Sequence, residues 1–191
     1  MNYQSRFDDF FKAQKFLPVC TSSSADQALL LAERLVEKNI LVMEIAYRNQ
    51  KLYSEIDYCI AAVKKSFPQM KVGAATVINR KIAKRAIKSG ADFLISPGFN
   101  PRTASYAKFK KIPFYPGVAT PSEIERAKEM GFSLLKFFPA EAIGGVKMLK
   151  CLASPFPEVS FIVSGGINEE NQESYQTLSN VSVISGSYLA K

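Results

Sequence analysis

Histidine is absent from this chain of 191 residues. That excludes every mechanism needing an imidazole base, a Ser-His or Cys-His pair, or a histidine ligand on a metal. Catalysis, if any, has to come from carboxylates, amines, hydroxyls, thiols or the backbone. Cysteine is scarce: Cys20, Cys59 and Cys151 lie far apart, are odd in number and form no CxxC. They read as buried thiols in a reducing compartment, which makes the cytoplasm the expected location. No run approaches the roughly eighteen apolar residues of a membrane span. The stretch from Met1 to Phe16 is acidic and aromatic and lacks the apolar centre of a secretory signal. No Gly/Ser-rich linker or low-complexity stretch divides the chain, so one domain over residues 1–191 is expected. Acidic residues are outnumbered, 17 against 25 Lys and Arg, giving a formal charge of +8. That balance suits an anionic partner, whether nucleic acid, an acidic surface or a small phosphorylated acid.

What is present is 47% hydrophobic and 22% charged, the composition of a folded globular chain. Short apolar runs alternate with amphipathic segments. The strand-like runs are 17–21, 41–47, 71–76, 93–96, 113–118, 134–140, 161–164 and 181–185. Helical segments are predicted at 24–39, 52–66, 79–89, 101–109, 121–130, 145–153 and 169–178, with a further one at about 3–15 before the first strand. Thr120-Pro121-Ser122-Glu123 carries a capping hydroxyl, a proline at the first helical position and a capping-box glutamate. Gly90 and Gly131 stand where helices stop. Eight strands alternating with helices imply parallel pairing. The count of eight and the polar strand ends favour a closed α/β (β/α)8 TIM barrel with an added N-terminal helix. An open doubly wound sheet is the alternative, but Thr21-Ser22-Ser23-Ser24 after the first strand holds no glycine for a nucleotide loop. The last barrel helix is expected to be missing or reduced to Tyr188–Lys191.

Candidate chemistry sits at strand ends. In Leu134-Leu135-Lys136-Phe137-Phe138-Pro139-Ala140-Glu141, alternation puts Leu134, Lys136 and Phe138 on one face. If that face is interior, a dry site disfavours an ammonium relative to a neutral amine, and a neutral amine can attack a ketone. If the face is exterior, Lys136 snorkels to solvent. Glu44, Ala46 and Arg48 share a face of the second strand. A buried Glu44 could shuttle protons and Arg48 could grip a carboxylate through its fork, or the two could form a self-satisfying ion pair. Thr76 ends the third strand; Asn79 is the better helix cap, which leaves Thr76 for a ligand. Gly165-Gly166 and Gly186-Ser187 follow the last two strands, a common place for phosphate in barrels. Ser96-Pro97-Gly98 and Tyr115-Pro116-Gly117 read as turns ending the fourth and fifth strands. The remaining basic residues, Lys81, Lys84, Arg85, Lys88, Lys108, Lys110 and Lys111, fall on solvated helical positions or loops without interleaved aromatics, so no nucleic-acid partner is expected.

Together these residues resemble the class I aldolases of 2-keto-3-deoxy-6-phosphogluconate (KDPG) and 4-hydroxy-2-oxoglutarate (KHG). The most specific element is Lys136-Phe137-Phe138-Pro139-Ala140-Glu141. It is joined by Glu44 with Arg48, Gly73-Ala74-Ala75-Thr76, Ile95-Ser96-Pro97-Gly98, Pro116-Gly117-Val118-Ala119-Thr120 and Gly165-Gly166-Ile167. The resemblance implies that Lys136 is the Schiff-base lysine and Glu44 the acid/base. It implies that Arg48 and Thr76 hold the pyruvyl carboxylate, Phe138 packs on substrate, and Gly165, Gly166 and Ser187 cradle a phosphate. It further implies a homotrimer that takes a small keto acid and needs no metal or other cofactor. Three positions depart from that pattern, Ala75 and Ser185 standing for glycines and Ser164 for threonine, and the closing helix is short or absent. Two other readings remain open from the residues themselves. One is a non-covalent phosphosugar isomerase or epimerase on the same barrel; the other is a catalytically degenerate protein that binds an acidic metabolite.

Overall fold

The structure is a computed structural model that describes residues 3–190. Nine parallel strands, β1 (Phe16–Cys20), β2 (Val42–Ala46), β3 (Lys71–Ala75), β4 (Phe93–Ile95), β5 (Phe114–Tyr115), β6 (Gly117–Val118), β7 (Leu134–Phe137), β8 (Ser160–Ser164) and β9 (Val181–Gly186), run in the order β5-β4-β3-β2-β1-β9-β8-β7-β6. β5 and β6 sit at the two ends of that order yet are joined in the chain through Pro116 alone, so the sheet curls round and closes as a (β/α)8-type barrel.

The sequence reading of Tyr115-Pro116-Gly117 as the end of the fifth strand is thereby corrected. Pro116 has no N–H to give to a ladder. It therefore bends the strand within the wall, so that Leu94 pairs with Phe114 on one side and Gly117 with Lys136 on the other. The predicted eight strands become nine for this reason. Gly117 is required there, because a Cβ would stand 2.2 Å from the Pro97 carbonyl carbon.

Helices α2 (Ala25–Glu37), α3 (Tyr53–Ser66), α4 (Arg80–Lys88), α5 (Pro101–Phe109), α6 (Pro121–Glu129), α7 (Gly145–Ala153) and α8 (Gln172–Gln176) return the chain between strands. Local chemistry sets their ends. Thr120 and Glu123 form the expected capping box at α6, and Asn79 caps α4 through Ile82 N. Ser24 caps α2 through Gln27 N, and Asn100 caps α5 through Arg102 N and Thr103 N, so each satisfies part of the first turn's unpaired N–H groups. The layer between strands and helices is the main apolar core, with Leu31, Ile60, Val72, Leu94, Leu135 and Phe161 among its members.

Helix α1 (Tyr3–Gln14) stoppers one end of the barrel. Its Phe11 is fully buried, with ring centroids 4.9 Å from Phe93 and 4.8 Å from Tyr115. After β9 the described chain holds a single 3-10 turn, Ser187–Ala190; Lys191, the last residue of the predicted remnant helix, lies outside the described residues, as do Met1 and Asn2. Among the described residues no helix is long and apolar enough to cross a membrane. Cys20 and Cys59 are buried as expected, and burial pushes the Cys59 thiol up to about 11. Cys151 is not buried: it falls on the solvent side of α7, which corrects the reading of three interior thiols.

Candidate active site

The strands that carry the predicted residues converge at the C-terminal mouth of the barrel. A cavity of about 440 Å³ is lined there by Glu44, Arg48, Thr76, Lys136, Phe138 and Ser164, among others. Lys136 is interior, with 6% of its surface exposed, so the snorkelling alternative does not apply. Its Nζ donates to Glu44 Oε1 at 3.3 Å and lies 5.6 Å from the Phe138 ring centroid. Glu44 is fully buried. The ammonium is therefore neither alone nor in contact with bulk water; it is half of a buried ion pair, which tolerates burial because each charge satisfies the other.

The alternative of a self-satisfying Glu44–Arg48 pair does not apply. Strand alternation puts both on one face, but Glu44 sits inside the wall while Arg48 has passed the end of β2 and is exposed at the rim. Among the described residues the guanidinium of Arg48 makes no hydrogen bond or ion pair, which leaves its fork available to an anion entering the cavity. Its neighbour Tyr47 points the other way. The Tyr47 hydroxyl donates to Asp57 Oδ1 at 2.6 Å, and Asp57 also receives Arg85, so α3 and α4 grip the strand end from which Arg48 projects. Arg85 is thus half-buried and paired rather than a free surface charge.

Thr76 follows β3 in a left-handed conformation, φ 61°, at the cavity wall. A non-glycine residue held there costs about 1–3 kcal/mol, which the surrounding fold has to supply. Asn79 serves as the cap of α4, so the Thr76 side chain is not used for that purpose.

The third predicted group is placed differently. Gly165 and Gly166 lie at the end of β8, and Ser187 follows β9, its neighbour in the sheet, but none of the three lines the cavity around Lys136. Both glycines have left-handed φ, 97° and 83°. Their lack of a side chain is explained by crowding: a Cβ on Gly165 would come 3.0 Å from Pro139 Cα, and one on Gly166 would come 2.6 Å from Glu141 Cβ. These glycines let the loop after β8 lie against the Phe138–Glu141 segment, and Glu141 N donates to Gly165 O at 3.1 Å. Ser187 is exposed and borders a separate groove of about 470 Å³ beside the end of β1 and α2.

The small residues Ala46 and Ala75 were legible in the sequence, but Val19 on the cavity's apolar side was missed. Val19, Ala46 and Ala75 form a small cluster there, and Ser164 adds a hydroxyl at the end of β8. Ala46 and Ala75 are register partners near the ends of β2 and β3, while Val19 on β1 is in register with Glu44.

A buried lysine–carboxylate pair at the C-terminal mouth of a parallel barrel, beside an arginine unpaired among the described residues, defines the class as a (β/α)8 barrel equipped for amine chemistry on a carbonyl acid. A family model described as "KDPG and KHG aldolase" matches residues 7–191. A 2-dehydro-3-deoxy-phosphogluconate aldolase of Treponema pallidum is 37% identical over 92% of this chain and 81% of its own. The KHG/KDPG aldolase of Escherichia coli K12 is 35% identical over 98% and 86%. The solved KDPG aldolase of Legionella pneumophila, with pyruvate captured as a covalent carbinolamine, superimposes with a TM-score of 0.86 at 36% identity, covering 93% of this chain and 84% of that one. The chain belongs to the KDPG and KHG aldolase family.

Proposed function

We propose that this protein is a class I aldolase that cleaves 2-keto-3-deoxy-6-phosphogluconate to pyruvate and glyceraldehyde 3-phosphate through an imine on Lys136. The observation that carries this reading is the buried approach of Lys136 Nζ to Glu44 Oε1, 3.3 Å, inside a cavity that Arg48 and Thr76 also reach. The proton between the pair moves to Glu44, and the neutral amine adds to the C2 ketone. Glu44 then returns that proton to the carbinolamine hydroxyl, which leaves as water and gives the iminium. With the iminium as electron sink, Glu44 takes the C4 hydroxyl proton, the C3–C4 bond breaks and its electron pair becomes the enamine. The aldehyde departs. Glu44 protonates C3, and water hydrolyses the imine to release pyruvate and the amine. Arg48 and Thr76 hold the carboxylate throughout, so that C2 stays over Nζ.

The phosphate of the aldehyde half goes to the ends of β8 and β9, at Gly165, Gly166 and Ser187, a sheet neighbourhood where backbone N–H groups can meet an anion. The relative from Escherichia coli is named for both KHG and KDPG, which favours 4-hydroxy-2-oxoglutarate as a second substrate, cleaved by the same steps to pyruvate and glyoxylate. The family resemblance further supports a homotrimer, and free thiols fit a reducing compartment such as the cytoplasm.

The test is borohydride reduction in the presence of pyruvate, followed by mapping of the adduct and by a pyruvate-release assay on KDPG, its C4 epimer and 4-hydroxy-2-oxoglutarate. The expected adduct is on Lys136, and Lys136→Arg abolishes both adduct and release. Activity that survives in Lys136→Arg would replace the imine with non-covalent isomerase chemistry.

A further inference from the structure

The two oxygens of Glu44 have unequal surroundings. Oε1 receives Lys136 Nζ and also Ser185 Oγ, each at 3.3 Å, whereas Oε2 is buried without a partner. Ser185 stands on β9, which is separated from β2 by β1, so its hydroxyl reaches Glu44 across the barrel interior. It is fully buried and does not line the substrate cavity. A carboxylate only accepts, so the single hydroxyl hydrogen of Ser185 is the donor.

The two donors on Oε1 differ in permanence. On the aldolase reading, which this inference rests on, Lys136 Nζ loses hydrogens when it becomes an imine and turns towards its covalent partner. Ser185 changes in no step. We infer that Ser185 is a positioning residue for the proton shuttle: its hydroxyl keeps Glu44 Oε1 tied, so that once Lys136 is covalently engaged and no longer donates to Oε1, Oε2 is the oxygen that takes and returns protons. Without that tie the carboxyl is free to rotate whenever Lys136 is covalently engaged, and the proton is presented in more than one direction. Hydrogen bonds that fix the orientation of a reacting group act in this way without touching substrate.

Enamine formation from pyruvate isolates the step. In the full chain in D2O, NMR reads exchange of the pyruvate methyl hydrogens, which needs proton transfer at C3; borohydride trapping at equilibrium reads only how much imine forms. Ser185→Ala and Ser185→Gly both remove the hydroxyl but differ in volume. Both are expected to trap pyruvate on Lys136 to the wild-type extent while exchange slows about tenfold, the size of one lost hydrogen bond to a charged group. Wild-type exchange in either variant overturns the inference. So does a parallel fall in trapping and exchange, which would mark Ser185 as packing alone. A wild-type protein that forms no adduct at Lys136 removes the aldolase reading and this inference with it; an adduct with unaltered exchange in the variants removes this inference only.

Discussion

At the scale of single residues, the cavity combines one paired set of charges with one unpaired cation. Lys136 and Glu44 satisfy each other inside the wall, and Arg48, just past the end of β2, has no partner among the described residues. An unpaired guanidinium at the cavity rim is suited to a planar carboxylate because two parallel N–H groups meet two oxygens. Lysine keeps the charge but loses the fork. Arg48→Lys should therefore raise KM for KDPG about tenfold with a smaller change in kcat, the cost of one charge-assisted hydrogen bond. Steady-state kinetics check this, and an unchanged KM would remove Arg48 from carboxylate binding. Sequence periodicity placed Glu44 and Arg48 on one face and left their pairing open. It could not show that β2 ends between them, which separates an interior acid from a rim base.

At the scale of elements, α1 shows how an added helix can seal a barrel and carry a cost. Its Phe7 and Phe11 pack on Phe93, and Gln4 accepts from Phe114 N at 3.1 Å. The same face brings Asp8 down towards Tyr115. Burial desolvates the Asp8 carboxyl and holds it above its ordinary 3.8; Gln4, Tyr115 and Lys12 oppose that shift, and Asp9 adds to it. The sign follows from linkage. A carboxyl raised in the fold binds more protons folded than unfolded, so stability falls as pH rises from the ordinary Asp range through the folded value. Asp8→Asn removes the charge, so the variant should gain on the wild type in Tm as pH increases from about 4 towards neutrality. Thermal scans across that range test it, and a difference that is flat or shrinks with pH would contradict it. The existence of α1 was legible from its amphipathic spacing. Its docking site was not, because the aromatic partners lie on β4 and β5, far along the chain.

At the scale of the whole molecule, closure is what brings the parts together. Lys136 reaches Glu44 across 92 positions and Ser185 reaches it across 141, so the site exists only when the first and last strands flank one another. Closure on the other side depends on Pro116 and Gly117, where the wall changes partner from β4 to β7. Beyond the monomer, Leu30, Tyr58, Ile78 and Phe109 are large apolar side chains with roughly half to four-fifths of their surface exposed. Scattered singles of this kind need no partner. On the homotrimer proposed from the family resemblance, sedimentation equilibrium should return about three times 21.2 kDa, and a monomer mass would withdraw that proposal.

The sequence by itself determined the elements and the chemistry available. Alternation put Lys136 on a strand face with Leu134 and Phe138, and the Thr120–Glu123 box started α6 where it was expected. Such features depend on neighbours within about a helical turn, so the order of residues suffices to specify them. Tertiary structure alone decided that the Lys136 face is the inner one, that its partner is Glu44 rather than solvent, and that Gly165 and Gly166 are empty because Pro139 and Glu141 crowd them. The physical reason is range. A strand's period says which side chains go together but not which side is dry, and only the closing of the sheet makes one side the interior.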